Sequence, residues 1–407
     1  YLDMSGGTNA QGSVTLNGGK LLNSSDTLQA ITLTAAGGSN TIAATLANNG
    51  TNTFTLNQNG GTTTLTQSNT YTGTNNISSG TLIASNSRAL GNSGNTLIVS
   101  GNSTLNFGGT TNTQGAVTFS NSIITNGGIN AASFLLSGTT NNVSASLGGS
   151  AAVTAAAGKT LFTAANTYSG GTILAGGNIV LSGAGTLGAS TNNLTISNST
   201  LNLGGTTQTN GVVIFANGTL TNGTLSSASS FSSVNGTNAI AAILAGSAAF
   251  TNVAGLTTFY SNNTYTGGTF VNGGTLAASG SGTFGATSNL LSISNSGSVN
   301  LGTTTQTVAG LTMNGGNLTN GNLNATTFTL ASGTNLINGT MSNTSGFTIS
   351  GGTNTIQGTN NNGANVYAIN GGSNTISAVL NGTGGLINSN SAITVLSGVN
   401  TYSGGTI

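Results

Sequence analysis

The sequence predicts an all-β fold, a single-stranded parallel β-solenoid with about 19–20 residues per rung and roughly 21 rungs. Three observations predict it. A tyrosine motif recurs at long fixed steps, short segments alternate apolar and polar residues, and a finer period of about 20 residues runs through the longest repeat. No window sustains helical spacing, and the abundant Gly, Asn, Ser and Thr are poor residues for helix interiors.

The long repeat is marked by Asn-Thr-Tyr followed by Ser or Thr and then Gly. Its tyrosines are Tyr71, Tyr168, Tyr265 and Tyr402, so the first two steps are equal and the third is longer. Fixed steps of this kind indicate one structural unit that is copied and stacked. The tyrosines lie at least five rungs, or roughly 24 Å, apart, too far for one sugar site. We therefore interpret them as structural repeat markers with a packing role.

These steps also predict the domain organisation. We expect one continuous β-solenoid over residues 1–407, and we expect this chain to be a segment of a longer polypeptide. The predicted long repeats are approximately 71–167, 168–264 and 265–401, preceded by a partial repeat at 1–70.

Short strands are predicted where apolar residues flank an asparagine at matching places in the repeats. The three segments begin at Leu105, Leu201 and Val299, and each reads apolar, Asn, apolar. This alternation is typical of half-buried strands, so the apolar side chains should face inward and the asparagines outward. Asn-Gly pairs supply the turns between strands, because both residues tolerate positive φ. These pairs are Asn17-Gly18, Asn126-Gly127, Asn222-Gly223 and Asn320-Gly321.

A finer period is visible in the third repeat. Phe328, Phe347 and Tyr367 begin similar segments at nearly equal spacings, each close to the length of one rung. The third repeat is longer than the two before it by about 40 residues, or two rungs, so each shorter repeat should contain five rungs. An antiparallel β-sandwich is the alternative fold, but the insertion of whole rungs favours the solenoid.

Asparagines follow the same fine period and form a candidate ladder. They are Asn335, Asn354 and Asn374, one in each of three successive predicted rungs. Amides stacked in register can hydrogen-bond from rung to rung, as in cross-β structures. The alternative is that each asparagine caps its own turn separately.

The composition argues against most kinds of catalytic, cofactor-binding and metal-binding site. Only Asp3, Lys20, Asp26, Arg88 and Lys159 are charged, and the chain has no His or Cys. General acid–base catalysis needs a titratable group near the reacting atom, and calcium-binding solenoids need repeated acidic residues. We therefore predict that the chain is not an enzyme and has no catalytic, cofactor or metal site. Nucleic-acid binding would need clustered Lys and Arg, and a membrane helix about 18 consecutive apolar residues, so neither is expected.

The marker motif resembles the passenger-associated repeat of bacterial autotransporters, also called the autotransporter-associated β-strand repeat. The residues that carry this resemblance are NTYSGGTI at 166–173 and NTYTGGTFVNGGTL at 263–276. The resemblance implies a right-handed β-helical stalk at the surface of a Gram-negative bacterium, usually ahead of an outer-membrane β-barrel.

Three functions follow as expectations. The first is an extracellular structural protein, an uncharged rod that self-associates laterally or end to end into a fibre, stalk or surface layer. The second is the shaft of an autotransporter adhesin whose binding tip or membrane barrel lies outside this segment, with host or matrix surfaces as partners. The third is ice binding, suggested by Thr-rich segments such as Thr62-Thr63-Thr64, although no rung-after-rung Thr-x-Thr array is evident.

Overall fold

The computed structural model describes residues 4–407, so Asp3 and the start of the predicted partial repeat lie outside the described residues. These residues form an all-β structure without helices, in which parallel strands stack as a β-solenoid of about 20 turns. The predicted fold class is confirmed. Within residues 4–407, the registers between strands are parallel, and Asn49–Asn52 is an isolated antiparallel bridge.

The chain divides into two compact units, one ending at Gln208 and the other spanning Thr209–Ile407. The strands of the first unit are β1 (Thr8–Asn17), β2 (Lys20–Leu21), β3 (Thr27–Gly37), β4 (Ser39–Ile42), β5 (Thr45–Asn48), β6 (Thr55–Gln58), β7 (Thr62–Leu65), β8 (Thr74–Ile77), β9 (Thr81–Ala84), β10 (Thr96–Ser100), β11 (Thr104–Asn106), β12 (Thr111–Ser120), β13 (Ile123–Thr125), β14 (Gly128–Ser137), β15 (Thr140–Val143), β16 (Ser146–Gly148), β17 (Val153–Ala155), β18 (Lys159–Phe162), β19 (Thr172–Ala175), β20 (Asn178–Leu181), β21 (Leu194–Ser197) and β22 (Thr200–Asn202).

Strand β23 (Thr207–Ala216) begins in the first unit and ends in the second. The remaining strands of the second unit are β24 (Thr219–Asn235), β25 (Thr237–Ala245), β26 (Ala249–Asn252), β27 (Leu256–Phe259), β28 (Thr269–Val271), β29 (Thr275–Ala278), β30 (Leu290–Asn300), β31 (Thr305–Ile349), β32 (Thr353–Asn361), β33 (Tyr367–Ile369), β34 (Ser373–Ile376), β35 (Val379–Asn381), β36 (Leu386–Asn388) and β37 (Ile393–Leu396).

Up to three strand positions succeed one another in each turn of the first unit, and we call the sheets that they build faces A, B and C. Face A contains β6, β8, β10, β17, β19 and β21 with the second halves of β1, β3, β12 and β14. Face B contains β2, β4, β7, β9, β11, β13, β15, β18, β20 and β22. Face C contains β5 and β16 with the first halves of β1, β3, β12 and β14.

The register on face A explains the length of the shorter repeat. Five successive pairings carry the chain from Asn76 to Ile173, which is the same step as that from Tyr71 to Tyr168. The prediction of five rungs per shorter repeat is therefore confirmed for this repeat. Individual rungs vary in the number of residues they contain. Thr111 pairs with Gly128 on the next rung, whereas Thr32 pairs with Thr55, which is further along the sequence. Loops between strands absorb the difference, so the rung length is an average rather than a constant.

The interior of each unit is filled by alternate residues of most strands. The apolar residues predicted to face inward are all buried, and the intervening asparagines are only partly buried, as alternation in a strand requires. The buried set is Leu105, Phe107, Leu201 and Leu203 in the first unit and Val299 and Leu301 in the second.

Some residues at the corners adopt the left-handed backbone conformation, in which φ is positive. Asn126 and Gly127 both have positive φ, at 55° and 136°, whereas at the Asn17-Gly18 pair only the glycine does, at 81°. Stacked corners also approach closely, since a Cβ built on Gly61 would lie 2.1 Å from the carbonyl oxygen of Gly38. Parallel pairing continues through some corners, which is why β31 runs unbroken for 45 residues.

Candidate functional site

The first copy of the marker motif forms a buried polar cluster around Tyr71. The phenol donates a hydrogen bond to Oδ1 of Asn75 at 2.6 Å. The Asn75 amide then donates to the carbonyl oxygen of Leu90 and to Oε1 of Gln114, both at 3.0 Å. The side chains of Tyr71, Asn75 and Gln114 are buried, so these contacts replace the hydrogen bonds that water would supply.

Two more asparagines complete this cluster by binding the backbone of neighbouring rungs. Asn69 accepts from the backbone N–H of Leu46 at 2.8 Å and donates to the carbonyl oxygen of Ala89 at 2.6 Å. Asn95 accepts from the N–H of Gly73 at 3.0 Å and donates to the carbonyl oxygen of Tyr71 at 3.2 Å. We call Asn69, Tyr71, Asn75, Asn95 and Gln114 the tyrosine cluster.

The second copy repeats this geometry with a threonine in place of Asn75. Tyr168 shares a hydrogen bond with the Thr172 hydroxyl at 2.7 Å, and that hydroxyl donates to the carbonyl oxygen of Leu187 at 3.3 Å. Asn192 donates to the Tyr168 carbonyl oxygen at 2.7 Å, as Asn95 does to that of Tyr71.

The third copy follows the second closely. The Tyr265 and Thr269 hydroxyls lie 2.7 Å apart, and Asn289 donates to the Tyr265 carbonyl oxygen at 2.9 Å. The same scheme therefore recurs in both units, each time built by residues of one unit.

Tyr402 differs from the other three tyrosines. Its hydroxyl lies 2.6 Å from that of Thr406, and its ring is 6.1 Å from the Tyr367 ring, but it is only half-buried. The preceding Asn400 still accepts from the N–H of Leu380 at 3.0 Å. The structure thus gives all four tyrosines a packing environment and brings no two of them together.

Sequence reasoning missed the partners of the tyrosines. Asn95, Asn192 and Asn289 follow one another at the same long step as the first three tyrosines. Three glycines do so as well, and each has positive φ and lies where a Cβ would approach the Cε2 atom of its tyrosine to within 2.7–2.9 Å. They are Gly91, Gly188 and Gly285. Their recurrence at the same sequence interval as the tyrosines is the pattern from which these residues could have been predicted.

Burial controls the acidity of the tyrosine hydroxyls. Loss of water raises the pKa of Tyr71, Tyr168 and Tyr265 well above the ordinary value of 10.0, and hydrogen bonds to Asn75, Thr172 and Thr269 offset only part of this rise. Burial likewise raises the pKa of Tyr367 to about 12. These phenols stay protonated at neutral pH, so they act as hydrogen-bonding groups rather than as bases.

The predicted asparagine ladder lies at one buried corner of the second unit. Asn335 donates to Oδ1 of Asn354, and Asn354 donates to Oδ1 of Asn374, both at 2.8 Å. Each amide also donates to the carbonyl oxygen three residues before it, as Asn354 does to Gly351 at 3.0 Å. Rung-to-rung bonding and turn capping therefore occur together, because an amide nitrogen carries two protons.

Related asparagines occupy the same kind of corner elsewhere and were not predicted. Asn40 and Asn141 each cap a turn and donate to a threonine hydroxyl on the next rung, Thr63 at 3.2 Å and Thr160 at 3.3 Å. Asn374 likewise donates to the Thr394 hydroxyl at 3.2 Å. Threonine can therefore replace asparagine as the acceptor in such a ladder.

The four charged residues of the described part lie on different elements or loops. Asp26 is buried and accepts from the backbone N–H groups of Met4 and Gly6 at 2.8 and 2.7 Å, which is a capping role. Lys20 and Lys159 lie on face B, and Arg88 lies exposed in the loop between β9 and β10. Residues 4–407 contain no group of three or more His, Cys, Asp or Glu side chains that could hold a metal ion.

Two surface features bear on binding. Thr62 and Thr64 face outward above Ser39 and Thr41, but on the next rung Ile83 replaces the second hydroxyl, so the Thr-x-Thr pattern stops. In the second unit, a groove of about 320 Å³ crosses three rungs. It is lined by Thr307, Val308, Asn324, Ala325, Thr326, Ser342, Asn343 and Thr344.

Among the described residues, no helix is long or apolar enough to cross a membrane. No family model, no curated protein and no solved structure matches this chain.

Proposed function

We propose that this protein is a non-enzymatic structural component of a bacterial surface or extracellular fibre, and that it works by association with copies of itself. The observation that carries the proposal is the distribution of charge over the solenoid. Residues 209–407, the whole second unit, contain no charged side chain, and the first unit contains four in its described part, of which Asp26 is buried.

Missing charge has a direct physical consequence for association. Net charge and charged sheet edges normally keep β-proteins apart. Stacked strands without charge present long polar faces that can approach one another at no electrostatic cost. The tyrosine cluster and its counterparts around Tyr168 and Tyr265 support the same role, because their polar groups bond within the solenoid and stabilise the stack rather than point outward.

The likeness of the marker motif to autotransporter passenger repeats supports a location outside a Gram-negative cell. In the motif, the asparagine bonds backbone of two neighbouring rungs and the tyrosine fills the interior. The motif thus has a stacking role that suits a stalk.

A second candidate is the shaft of an adhesin. The groove that begins at Thr307 favours this function, because the groove is a concave surface without charged residues and crosses three rungs. In this case the shaft displays a binding surface and need not self-associate.

The test is the association state of the purified chain. Sedimentation velocity over a broad concentration range, together with negative-stain electron microscopy, should show growth of assemblies with concentration and a repeating filament or lattice. A chain that stays monomeric at every concentration contradicts self-association and moves the proposal to the adhesin shaft.

A further inference from the structure

Face A of the first unit has a continuous outward row that no buried cluster uses. Nine successive pairings connect its members, one from each of ten strands. We call this the central row: Thr15, Thr34, Asn57, Asn76, Ile98, Thr118, Leu135, Thr154, Ile173 and Thr195.

The central row changes character along its length. Its first four members are Thr and Asn, and Asn76 donates to Oδ1 of Asn57 at 3.0 Å. From Ile98 onward, aliphatic residues and threonines alternate, and Leu135 and Ile173 remain 41% and 40% exposed. Aliphatic groups on every second rung, with threonine methyl groups between them, form an apolar stripe, a feature that marks interaction surfaces.

Small side chains flank this stripe. Ser100, Ser120 and Ser137 stack in register on one side, and Ala116 and Ser133 stack on the other. The larger Ile, Thr and Leu side chains form a ridge between two rows of smaller Ser and Ala side chains. This surface is self-complementary, because the ridge on one sheet can pack into a row of small side chains on another sheet. Sheets that pack in this way lie about 10 Å apart.

Charge distinguishes face A from face B of the first unit. Lys20 and Lys159 lie on face B, where two copies packed about a twofold axis would bring like charges together. Arg88 lies in a loop whose backbone bonds Asn69 of the marker motif. The strands of face A carry no charged side chain.

The size of face A suits a dimer interface. Ten strands spaced about 4.8 Å apart extend over roughly 43 Å, and five residues of strand span roughly 16 Å. The resulting area is roughly 700 Å² per copy, close to the ~800 Å² per partner of a standard stable interface.

From the row, its flanks, its area and its lack of charge, we propose that face A of the first unit is the lateral contact between two copies of this chain. The central row of one copy packs against face A of its partner. This inference rests on the proposed self-association and names the surface that performs it.

Matched lysine variants test the proposal. Leu135→Lys with Ile173→Lys places two charges on face A, whereas Ile123→Lys with Val180→Lys places the same two charges on face B. All four positions are outward and not buried, so circular dichroism should show the parent fold in both variants. By sedimentation velocity, the face A variant should associate at least about tenfold more weakly than the parent, and the face B variant within about twofold of it.

A crosslinking measurement supplies independent support, since the chain has no cysteine. We place the twofold axis parallel to the central row, so that each residue of the row faces the same residue of the partner. A bis-maleimide of about 10 Å span, matched to the sheet spacing, should then link Thr154→Cys molecules into dimers and should leave the face B variant Asn142→Cys largely monomeric.

The outcomes separate this inference from the proposed function. If the parent assembles and the face A lysines leave assembly unchanged, or if both lysine variants weaken it equally, then face A is not the contact. If the parent does not associate at all, self-association itself fails.

Discussion

Single glycines on the neighbouring rung limit how closely Tyr71, Tyr168 and Tyr265 can pack. Gly188 has a φ of 79°, and a Cβ there would lie 2.5 Å from the Tyr168 carbonyl oxygen and 2.7 Å from the Cε2 atom of its ring. Gly205 has nearly the same φ, 78°, with no atom within 4 Å of a built Cβ. Comparison of Gly188 with Gly205 separates the free-energy cost of a left-handed backbone from the cost of steric overlap with Tyr168.

Gly188→Ala should lower the free energy of unfolding by about 2–4 kcal/mol, because it adds steric overlap to backbone strain. Gly205→Ala should cost only the strain, about 1 kcal/mol. Thermal and urea unfolding of both variants checks this prediction. Equal losses of stability would show that the close approach to Tyr168 contributes nothing.

The buried tyrosines make stability depend on pH only in alkali. Burial raises the pKa of Tyr71, Tyr168 and Tyr265 above the unfolded value of 10.0, so their contribution is fully present below pH 10 and is lost as pH rises further. Each should cost about 1.4 kcal/mol per pH unit above 10. Melting temperatures measured from pH 7 to about pH 12 should therefore fall steeply only above pH 10, and less steeply when all three are changed to Phe. A melting temperature that stays constant in alkali is the contrary result.

Strands are held in register at their corners by the asparagine ladder as well as by the backbone. Asn354 lies at the centre of the ladder, where it accepts from Asn335 and donates to Asn374. All three are buried, so an unpaired amide there loses hydrogen bonds that water cannot replace.

Asn354→Leu should destabilise the second unit by about 2–4 kcal/mol, since it leaves the Asn335 amide and the Asn374 oxygen without these partners. Asn354→Thr should cost clearly less, because Thr160 and Thr394 already accept such bonds at equivalent corners. Urea unfolding compares the two variants. Equal stability of the Leu variant and the parent would mean that the ladder does not stabilise the fold.

The sequence was informative about strands and less so about the polar interior. Alternation at Leu105, Leu201 and Val299 and the fine period of the third repeat predicted the solenoid, because inward residues must recur on every rung. The partners of Tyr71 were not predicted, because Asn95 and Gln114 lie one and two rungs further along the chain and no local pattern connects them to it. The choice between a ladder and separate caps at Asn354 could not be made from spacing, because one amide does both.

The charge content of the chain separates this protein from ordinary globular domains. A typical domain is about 25% charged, whereas this chain is 1% charged with a net charge of +1. Screening by salt acts on charges, and here there are few to screen. Contacts between copies should accordingly depend on apolar groups and hydroxyls, as on face A, and not on ion pairs.

The most direct measurement of self-association is therefore its salt dependence. The dissociation constant of the purified chain should be measured by sedimentation velocity at about 0.05 M and about 0.5 M salt, where the Debye length falls severalfold. We predict association at both salt concentrations, with dissociation constants that agree within about threefold. A chain that remains monomeric throughout, or assemblies that dissolve as salt is raised, would contradict a nearly uncharged, self-associating β-solenoid.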